Sequence, residues 1–209
     1  MPPTFNEIIR TEEQLRQIMG APSQRALDKT VTALDENCRA FIAASPFLLI
    51  ASADAQGRLD VSPKGDPPGF VQVLDDHTLV IPDRPGNRRA DTLVNILQCA
   101  QVALLFVIPG KQDTLRVAGT AQIVADEGVR QGLAVQGKVP DLAIVVHVEE
   151  TFIHCPKCMI RSHLWEPEHW PALAGVPTMA ETFLAHAKID ASVEEVQALI
   201  DQGVRERLY

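Results

Sequence analysis

Two adjacent arginines, Arg88 and Arg89, stand in a chain whose overall charge is acidic. Asn87, just before them, is a residue type that often caps a helix, so both arginines are predicted in the first helical turn. The helix dipole opposes cations in that turn, whereas a bound anion would be held there by free N–H groups and arginine side chains. The segment therefore indicates a phosphate-binding site. The alternative is a solvated surface on which the arginines pair with Asp83 and Asp91.

The helix that would follow these arginines is predicted from its apolar spacing. Ala90, Leu93, Val94 and Leu97 recur at i, i+3, i+4 and i+7, which predicts one buried face. The sequence contains neither a glycine-rich dinucleotide loop nor a P-loop, so a dinucleotide-binding fold or an NTPase is not indicated.

A second polar segment follows a predicted strand at residues 58–62, where polar and apolar residues alternate. Ser62 and Lys64 lie here, at the start of a turn rich in proline and glycine. Considered alone, this segment is typical of an ordinary turn with a solvated lysine.

The predicted secondary structure around both segments changes along the chain, from helices to strands and back to helices. Residues 1–45 are predicted as a helical segment, 46–165 as a strand-rich domain and 166–209 as a helical extension of that domain. The strands are predicted at 47–53, 58–62, 70–74, 78–81, 101–108, 114–124 and 142–152. Capping boxes predict helix starts at Thr11 and Ser192. Short strands joined mostly by turns favour a mainly β fold with an antiparallel sheet or barrel and flanking helices.

Composition excludes several classes of protein. The chain has 209 residues, of which 46% are hydrophobic, so we expect an ordinary packed core rather than disorder. The formal net charge of −8 disfavours a nucleic-acid binder. The sequence shows no secretory signal and no apolar run near the ~20 residues that a bilayer requires. With only four cysteines, we expect a cytoplasmic protein with reduced thiols.

Cysteine and histidine residues form a third cluster near residue 160. The spacing of Cys155, Cys158, His163 and His169 could bind zinc, and the two cysteines alone could form a redox dithiol. The residues between them, 159–165, instead have the character of an apolar helical face, which a zinc knuckle would not supply. We therefore expect core-packed or partly exposed thiols and no metal.

Five blocks of sequence carry a resemblance that covers about residues 25–170. They read SPKGDPPGFV, TLVIPDRPGNRRADTLVNIL, VALLFVIPG, TLRVAGTAQIV and HCPKCMIRSHLWEPEHW. In this order they resemble the pyridoxamine 5'-phosphate oxidase-related flavoproteins, and within that family a bacterial subgroup of uncharacterised members. The resemblance implies an antiparallel split β-barrel that forms a homodimer, with FMN bound at a site shared by both subunits.

The resemblance also implies which residues contact the cofactor. Arg88 and Arg89 match the basic pair that holds the phosphate, and Asn87 contributes at the helix start. A strand end lies along the flavin ring, and other residues, some from the second subunit, complete the site. The ring-contacting set is Ser62, Pro63 and Lys64, and the completing set is Arg116, Arg161 and Trp165.

The sequence departs from true pyridoxamine 5'-phosphate oxidases in one respect. Their substrate-binding arginine–histidine pattern is missing, and helices are predicted in its place. We therefore expect an FMN-dependent oxidoreductase that acts on an unknown small molecule, with no residue singled out as catalytic. The alternatives are a non-catalytic flavin-binding or redox-sensing module and a zinc-binding interaction protein. A deazaflavin or haem in place of FMN stays open, because relatives of this fold use both.

Overall fold

Seven strands form one antiparallel sheet in the computed structural model, which describes residues 3–209. The strands are β1 (Phe47–Ala53), β2 (Leu59–Gly65), β3 (Gln72–Val73), β4 (Thr78–Asp83), β5 (Gln101–Val107), β6 (Thr114–Val124) and β7 (Leu142–His154). Their order across the sheet is β2-β1-β5-β6-β7-β4-β3, so β2 and β3 are the edge strands. The predicted mainly β, antiparallel fold with flanking helices is confirmed.

Eight α-helices flank the sheet among the described residues. They are α1 (Glu12–Met19), α2 (Gln24–Asp28), α3 (Glu36–Ala44), α4 (Asp91–Gln98), α5 (Glu127–Gly132), α6 (Lys157–Arg161), α7 (Met179–Ala187) and α8 (Val193–Glu206). Ser192 opens α8 with a complete capping box, as predicted. Thr11 caps α1, but the Gln14 side chain accepts from the N–H of Arg10 instead of Thr11, so the predicted box is only half formed. None of the described helices is long and apolar enough to span a bilayer.

The core lies on one face of the central strands and is built by period-two alternation. Leu48 pairs with Phe106 and Ile50 pairs with Leu104 across β1 and β5, and all four side chains are buried. α3 completes this core with the buried residues Cys38, Phe41 and Ile42. In contrast, α1 and α2 bury no residue at all.

A bulge between β6 and β7 bends the two longest strands. The register shifts between Ala118 and Gly119, so that Glu149 on β7 is the extra residue. A Cβ atom on Gly119 would overlap the carbonyl oxygen of His147. Only glycine permits this close backbone approach, and it therefore fixes the bend of the sheet.

Some predicted elements differ in extent. The strand predicted at 58–62 runs on to Gly65 as β2, which carries Ser62–Lys64 within the strand rather than in the turn after it. The strand predicted at 70–74 shrinks to β3, and at its end the Asp75 side chain accepts the hydrogen bonds that form the turn to β4. The short helix α5, capped by Asp126, was not predicted.

Candidate functional site

A cleft of about 1270 Å³ opens between β2 and the loop that joins β4 to α4. The two segments singled out from sequence both line it, although they are far apart along the chain. The predicted site residues on its wall are Ser62, Pro63, Lys64, Asn87, Arg88 and Arg89. The sheet and α4 thus bring the strand end and the arginine pair to one place.

The arginine pair lies before the helix and not in its first turn, so that prediction is wrong. α4 begins at Asp91, and its cap position is Ala90, which has the left-handed angles φ 56° and ψ 28°. The Asn87 side chain accepts a hydrogen bond from the backbone N–H of Arg89 at 3.0 Å. The Asn87 side chain therefore stabilises a local turn. A side-chain oxygen that accepts a backbone N–H can form such a turn as readily as it can cap a helix.

The polar contacts of α4 with the sheet hold this loop over β2. The Thr92 hydroxyl donates to Asp60 on β2 at 3.2 Å, and the Asn95 amide donates to the Ser52 hydroxyl on β1 at 3.1 Å. Thr92, Asn95 and Ser52 are buried, so each bond satisfies groups that would otherwise be costly to desolvate.

The predicted apolar face of α4 is buried only in part, because Leu93 packs against the core but the other predicted residues are exposed. Val94 is exposed and Leu97 is 77% exposed, whereas Ile96 is the buried apolar residue of the helix. Because Thr92 and Asn95 bind polar partners on β2 and β1, Val94 and Leu97 face outward, while the half-buried Leu93 packs against the core. Periodicity of apolar residues could not reveal this orientation.

Two ion pairs link the end of β2 and the residue after it to the end of β4 and the loop that follows. The Lys64 ammonium lies 3.4 Å from Asp83, and Nε of Arg84 lies 2.5 Å from Oδ2 of Asp66. The Asp66 side chain is only 2% exposed. Sequence analysis missed Asp66 and Arg84, because nothing local marks a pair that forms between two loops.

The two predicted phosphate-binding arginines differ in their partners. Nε of Arg89 donates to Asp91 at 2.8 Å, and this bond raises the pKa of Arg89. Within residues 3–209, Arg88 forms no salt bridge. The alternative of arginines paired with Asp83 and Asp91 therefore holds for Arg89 and Asp91. Asp83 is instead bound to Lys64.

Backbone strain is concentrated in the same loop. Arg88 has φ 63° and Ala90 has φ 56°, both in the left-handed region that non-glycine residues seldom adopt. Each such residue costs about 1–2 kcal/mol. Strained non-glycine residues of this kind often lie at functional sites, and here they flank Arg89 on the cleft wall.

Residues from the segment after α8 line the cleft as well. Arg207 and Tyr209 lie on its wall, and the Tyr209 hydroxyl donates to Oδ1 of Asp66 at 2.8 Å. The Arg84 guanidinium lies 5.6 Å from the centre of the Tyr209 ring. No sequence pattern predicts this contact, which joins residues 143 positions apart.

Three predicted cofactor contacts lie outside the cleft of their own chain. Arg116 projects from β6 with its guanidinium 5.1 Å from the Phe152 ring. Arg161 is exposed on α6, and the Trp165 indole donates to the carbonyl of Lys111 at 2.9 Å. Their contribution to a partner's site stays a prediction.

The cysteine–histidine cluster does not assemble as one unit. Cys155 and Cys158 are exposed free thiols, in agreement with partly exposed rather than core-packed cysteines. The rings of His163 and His169 lie 4.4 Å apart and both contact Glu166.

A seven-stranded antiparallel sheet with flanking helices and a cleft at its edge strand is the architecture of a split β-barrel. The family model for pyridoxamine 5'-phosphate oxidase matches residues 34–155. The match spans more than half of the chain, and the protein belongs to this family.

Several solved structures are similar to part of this chain, at low identity and with TM-scores below 0.5. HupZ of Group A Streptococcus is 22% identical over 57% of this chain and 92% of its own, with a TM-score of 0.48. An FMN-binding protein of Syntrophomonas wolfei is 13% identical over 68% and 93%, with a TM-score of 0.46. HutZ, the heme storage protein of Vibrio cholerae, is 17% identical over 57% and 94%, with a TM-score of 0.41. No curated protein matches the chain significantly.

Proposed function

We propose that this chain binds FMN in the cleft beside β2 and acts as an FMN-dependent oxidoreductase on a small molecule. The observation that carries the proposal is the convergence of Ser62–Lys64 and Asn87–Arg89 on one cleft, in a member of the pyridoxamine 5'-phosphate oxidase family. The cleft is larger than most small-molecule pockets, which measure roughly 300–1000 Å³, so its size suits a mononucleotide cofactor.

The loop before α4 suits the phosphate of FMN. Arg88 has no carboxylate partner in the described chain, so its guanidinium is available for bidentate hydrogen bonds to phosphate. No side chain caps the start of α4, where Ala90 occupies the cap position. The first N–H groups of the helix and its dipole therefore favour an anion at the same point.

The edge strand β2 suits the polar rim of the flavin ring. β2 pairs with β1 on one side only, so part of its backbone N–H and C=O groups is free of the sheet. FMN, when bound, would supply the electron chemistry. The residues of this chain would bind it, orient its ring and shield it from water, with Tyr209 and Arg207 covering one side.

A homodimer that shares the cofactor site is part of the proposal. On β2 the usual alternation is inverted: Asp60, Ser62 and Lys64 are half-buried, while Leu59 and Val61 are 82% and 59% exposed. An edge strand with outward apolar side chains is normally covered by another element or subunit. A partner seated on this strand could also supply Arg116, Arg161 or Trp165.

The absorbance spectrum of the purified protein tests the proposal most directly. We expect flavin bands, release of FMN rather than FAD on denaturation, and a dimer by light scattering. Titration of stripped protein with FMN and with riboflavin should show tighter binding of FMN. A colourless protein that takes up no added FMN contradicts the proposal, and a flavin-loaded monomer contradicts the shared site.

A non-catalytic flavin-binding or redox-sensing module is the second candidate. None of the described residues lining the cleft is a histidine or a cysteine, the commonest proton-transfer and nucleophilic side chains. Steady-state oxidation of nicotinamide donors in the presence of candidate substrates separates the two candidates. In an enzyme the reduced flavin passes its electrons to the substrate and turns over repeatedly, whereas in a binding or sensing module no substrate accelerates the reaction. The same lining offers no histidine, cysteine or methionine to ligate haem iron, and the hydroxyl of its one tyrosine, Tyr209, donates to Asp66, which favours FMN over haem.

We propose a cytoplasmic location and no nucleic-acid partner for this protein. The net charge of −8 supports the second point, since phosphate backbones attract basic surfaces. Cell fractionation and a gel-shift measurement test the two statements.

A further inference from the structure

Three metal-binding side chains meet on the segment between α6 and α7. Nδ1 of His163 lies 2.9 Å from Oε2 of Glu166, and Nδ1 of His169 lies 3.1 Å from the same oxygen. All three potential ligand atoms lie within 4.8 Å of one another. We propose that these residues form a binding site for a divalent transition-metal ion, zinc being the first to test, separate from the FMN cleft.

The backbone of this segment explains why the three side chains converge. They are spaced by three residues, and the N–H of Glu166 donates to the carbonyl of His163 at 3.0 Å. The N–H of His169 donates in turn to the carbonyl of Glu166 at 2.9 Å. The second turn leads into a 3₁₀ helix, Pro167–His169, in which side chains at i and i+3 lie one above the other. The His-x-x-Glu-x-x-His spacing therefore places its ligands on one side of the chain.

The distances suit a metal ion. Bonds of about 2.0–2.1 Å from zinc to imidazole nitrogen or carboxylate oxygen separate adjacent ligand atoms by about 2.9 Å in octahedral and 3.3 Å in tetrahedral geometry. The two measured nitrogen–oxygen separations, 2.9 and 3.1 Å, fall close to these values. The remaining pair of ligand atoms, on the two imidazoles, lies within 4.8 Å, so side-chain rotations would bring all three ligands to one ion.

Two tryptophans hold the backbone around the ligands. The Trp165 indole donates to the carbonyl of Lys111, and the Trp170 indole donates to the carbonyl of Leu164 at 3.0 Å. The first bond ties the segment to the loop between β5 and β6, and the second closes the segment on itself. His163 is also held at φ 50°, in the left-handed region. The ligand positions are thus defined before any ion binds.

The donor set defines the class of ion. Two imidazoles and one carboxylate bind Zn²⁺ in sites that keep an open position, and the same set suits other divalent first-row metals. All three side chains are about half exposed, which leaves room for water to complete the coordination. None of them lines the FMN cleft.

Calorimetric titration of chelator-treated, full-length protein with Zn²⁺ tests the proposal. We expect one ion per chain in the wild type and at least about 10-fold weaker binding in each of His163→Ala, His169→Ala and Glu166→Gln. His186→Ala removes an exposed histidine of α7 and should bind as the wild type does. Cys155→Ser with Cys158→Ser should also leave the affinity unchanged. FMN binding is measured separately on the same variants, so that a loss of the ion is distinguished from an effect on the cofactor.

Cobalt substitution adds a second readout. Co²⁺ bound by nitrogen and oxygen should show weak visible bands, and their loss in His163→Ala would support the assignment. Zinc affinity that is unchanged in all three ligand variants would overturn the proposal. So would zinc binding that disappears only in the double cysteine variant, because the ion would then be held by the thiols.

Discussion

The Tyr209 hydroxyl donates a hydrogen bond of 2.8 Å to one oxygen of Asp66, while Nε of Arg84 contacts the other oxygen. A single buried carboxylate thus ties together the end of β2, the loop after β4 and the segment after α8. Each of these three parts of the chain contributes to the wall of the cleft. The shape of the proposed FMN site therefore depends on a residue that binds no cofactor.

Tyr209→Phe should loosen the segment after α8 without unfolding the sheet. The variant removes the donor to Asp66 but keeps the ring beside Arg84, so we expect faster proteolysis near residues 193–209 and little change in the main unfolding transition. Leu208→Ala, a change at an exposed neighbour, is the control. Equal proteolysis of Tyr209→Phe and wild type would contradict the role assigned to this bond.

The same hydrogen bond has a defined pH dependence. The bond to Asp66 raises the pKa of Tyr209 above its usual value of 10.0. A group whose pKa is raised in the folded state adds stability below its ordinary pKa and loses it as pH rises through the folded value. The wild type should therefore lose this contribution above pH 10, and Tyr209→Phe should not. Unfolding at several alkaline pH values checks the difference.

Arg88→Ala should weaken FMN binding by about 10- to 150-fold, the range expected for one charge-assisted bond to phosphate. Arg89→Ala should have a smaller effect, because that arginine already pairs with Asp91. Riboflavin, which lacks the phosphate, should bind both variants nearly as it binds the wild type. Arg16→Ala, on the exposed helix α1, is the charge-matched control. If neither cleft variant separates the two ligands, the arginines are surface residues.

Ala90→Gly should stabilise the protein by about 1 kcal/mol, because glycine adopts the left-handed conformation without the Cβ penalty. Thermal unfolding measures the effect. Ala185→Gly provides an opposite control: it lies within α7, where glycine costs up to about 1 kcal/mol relative to alanine. A loss of stability in both variants would show that Ala90 is not strained.

Gly119→Ala should destabilise the sheet by at least about 2 kcal/mol, because the added methyl group forces β6 and β7 apart at the bulge. Gly86→Ala is the matched control, since a Cβ there meets nothing within 4 Å. Chemical denaturation measures both. Equal midpoints for the two variants would show that the bulge tolerates a side chain.

The sheet was predictable from sequence because each strand carries its own signal. β1, β5 and β6 alternate in burial, and their predicted limits agree with the structure to within one residue. The start of α4 was misjudged because Asn87 has two local uses, capping a helix and forming a turn, and sequence alone does not choose between them. The orientation of α4 depends on Ser52 and Asp60, which lie in other elements.

The residues of the candidate sites could be predicted only where they lie close together in one segment of the sequence. The two halves of the cleft were each singled out, but their convergence and the Asp66–Arg84 pair depend on tertiary packing. The sequence pattern groups His163 and His169 with the nearby cysteines, because the spacing of cysteines is the more familiar indication of a zinc site. Their true partner, Glu166, lies midway between them, and a three-residue spacing pattern would have found it.

The polar docking of α4 has a consequence for motion. Thr92 and Asn95 attach this helix to the sheet by hydrogen bonds, and its apolar contact with the core is limited to the buried Ile96 and the half-buried Leu93. Detaching the helix therefore exposes little apolar surface to water, and its free-energy cost lies well below that of global unfolding. Amide protons of α4 should exchange with solvent much faster than those of β5 and β6. The loop that carries Arg88 would then be released by a local opening while the rest of the molecule stays folded.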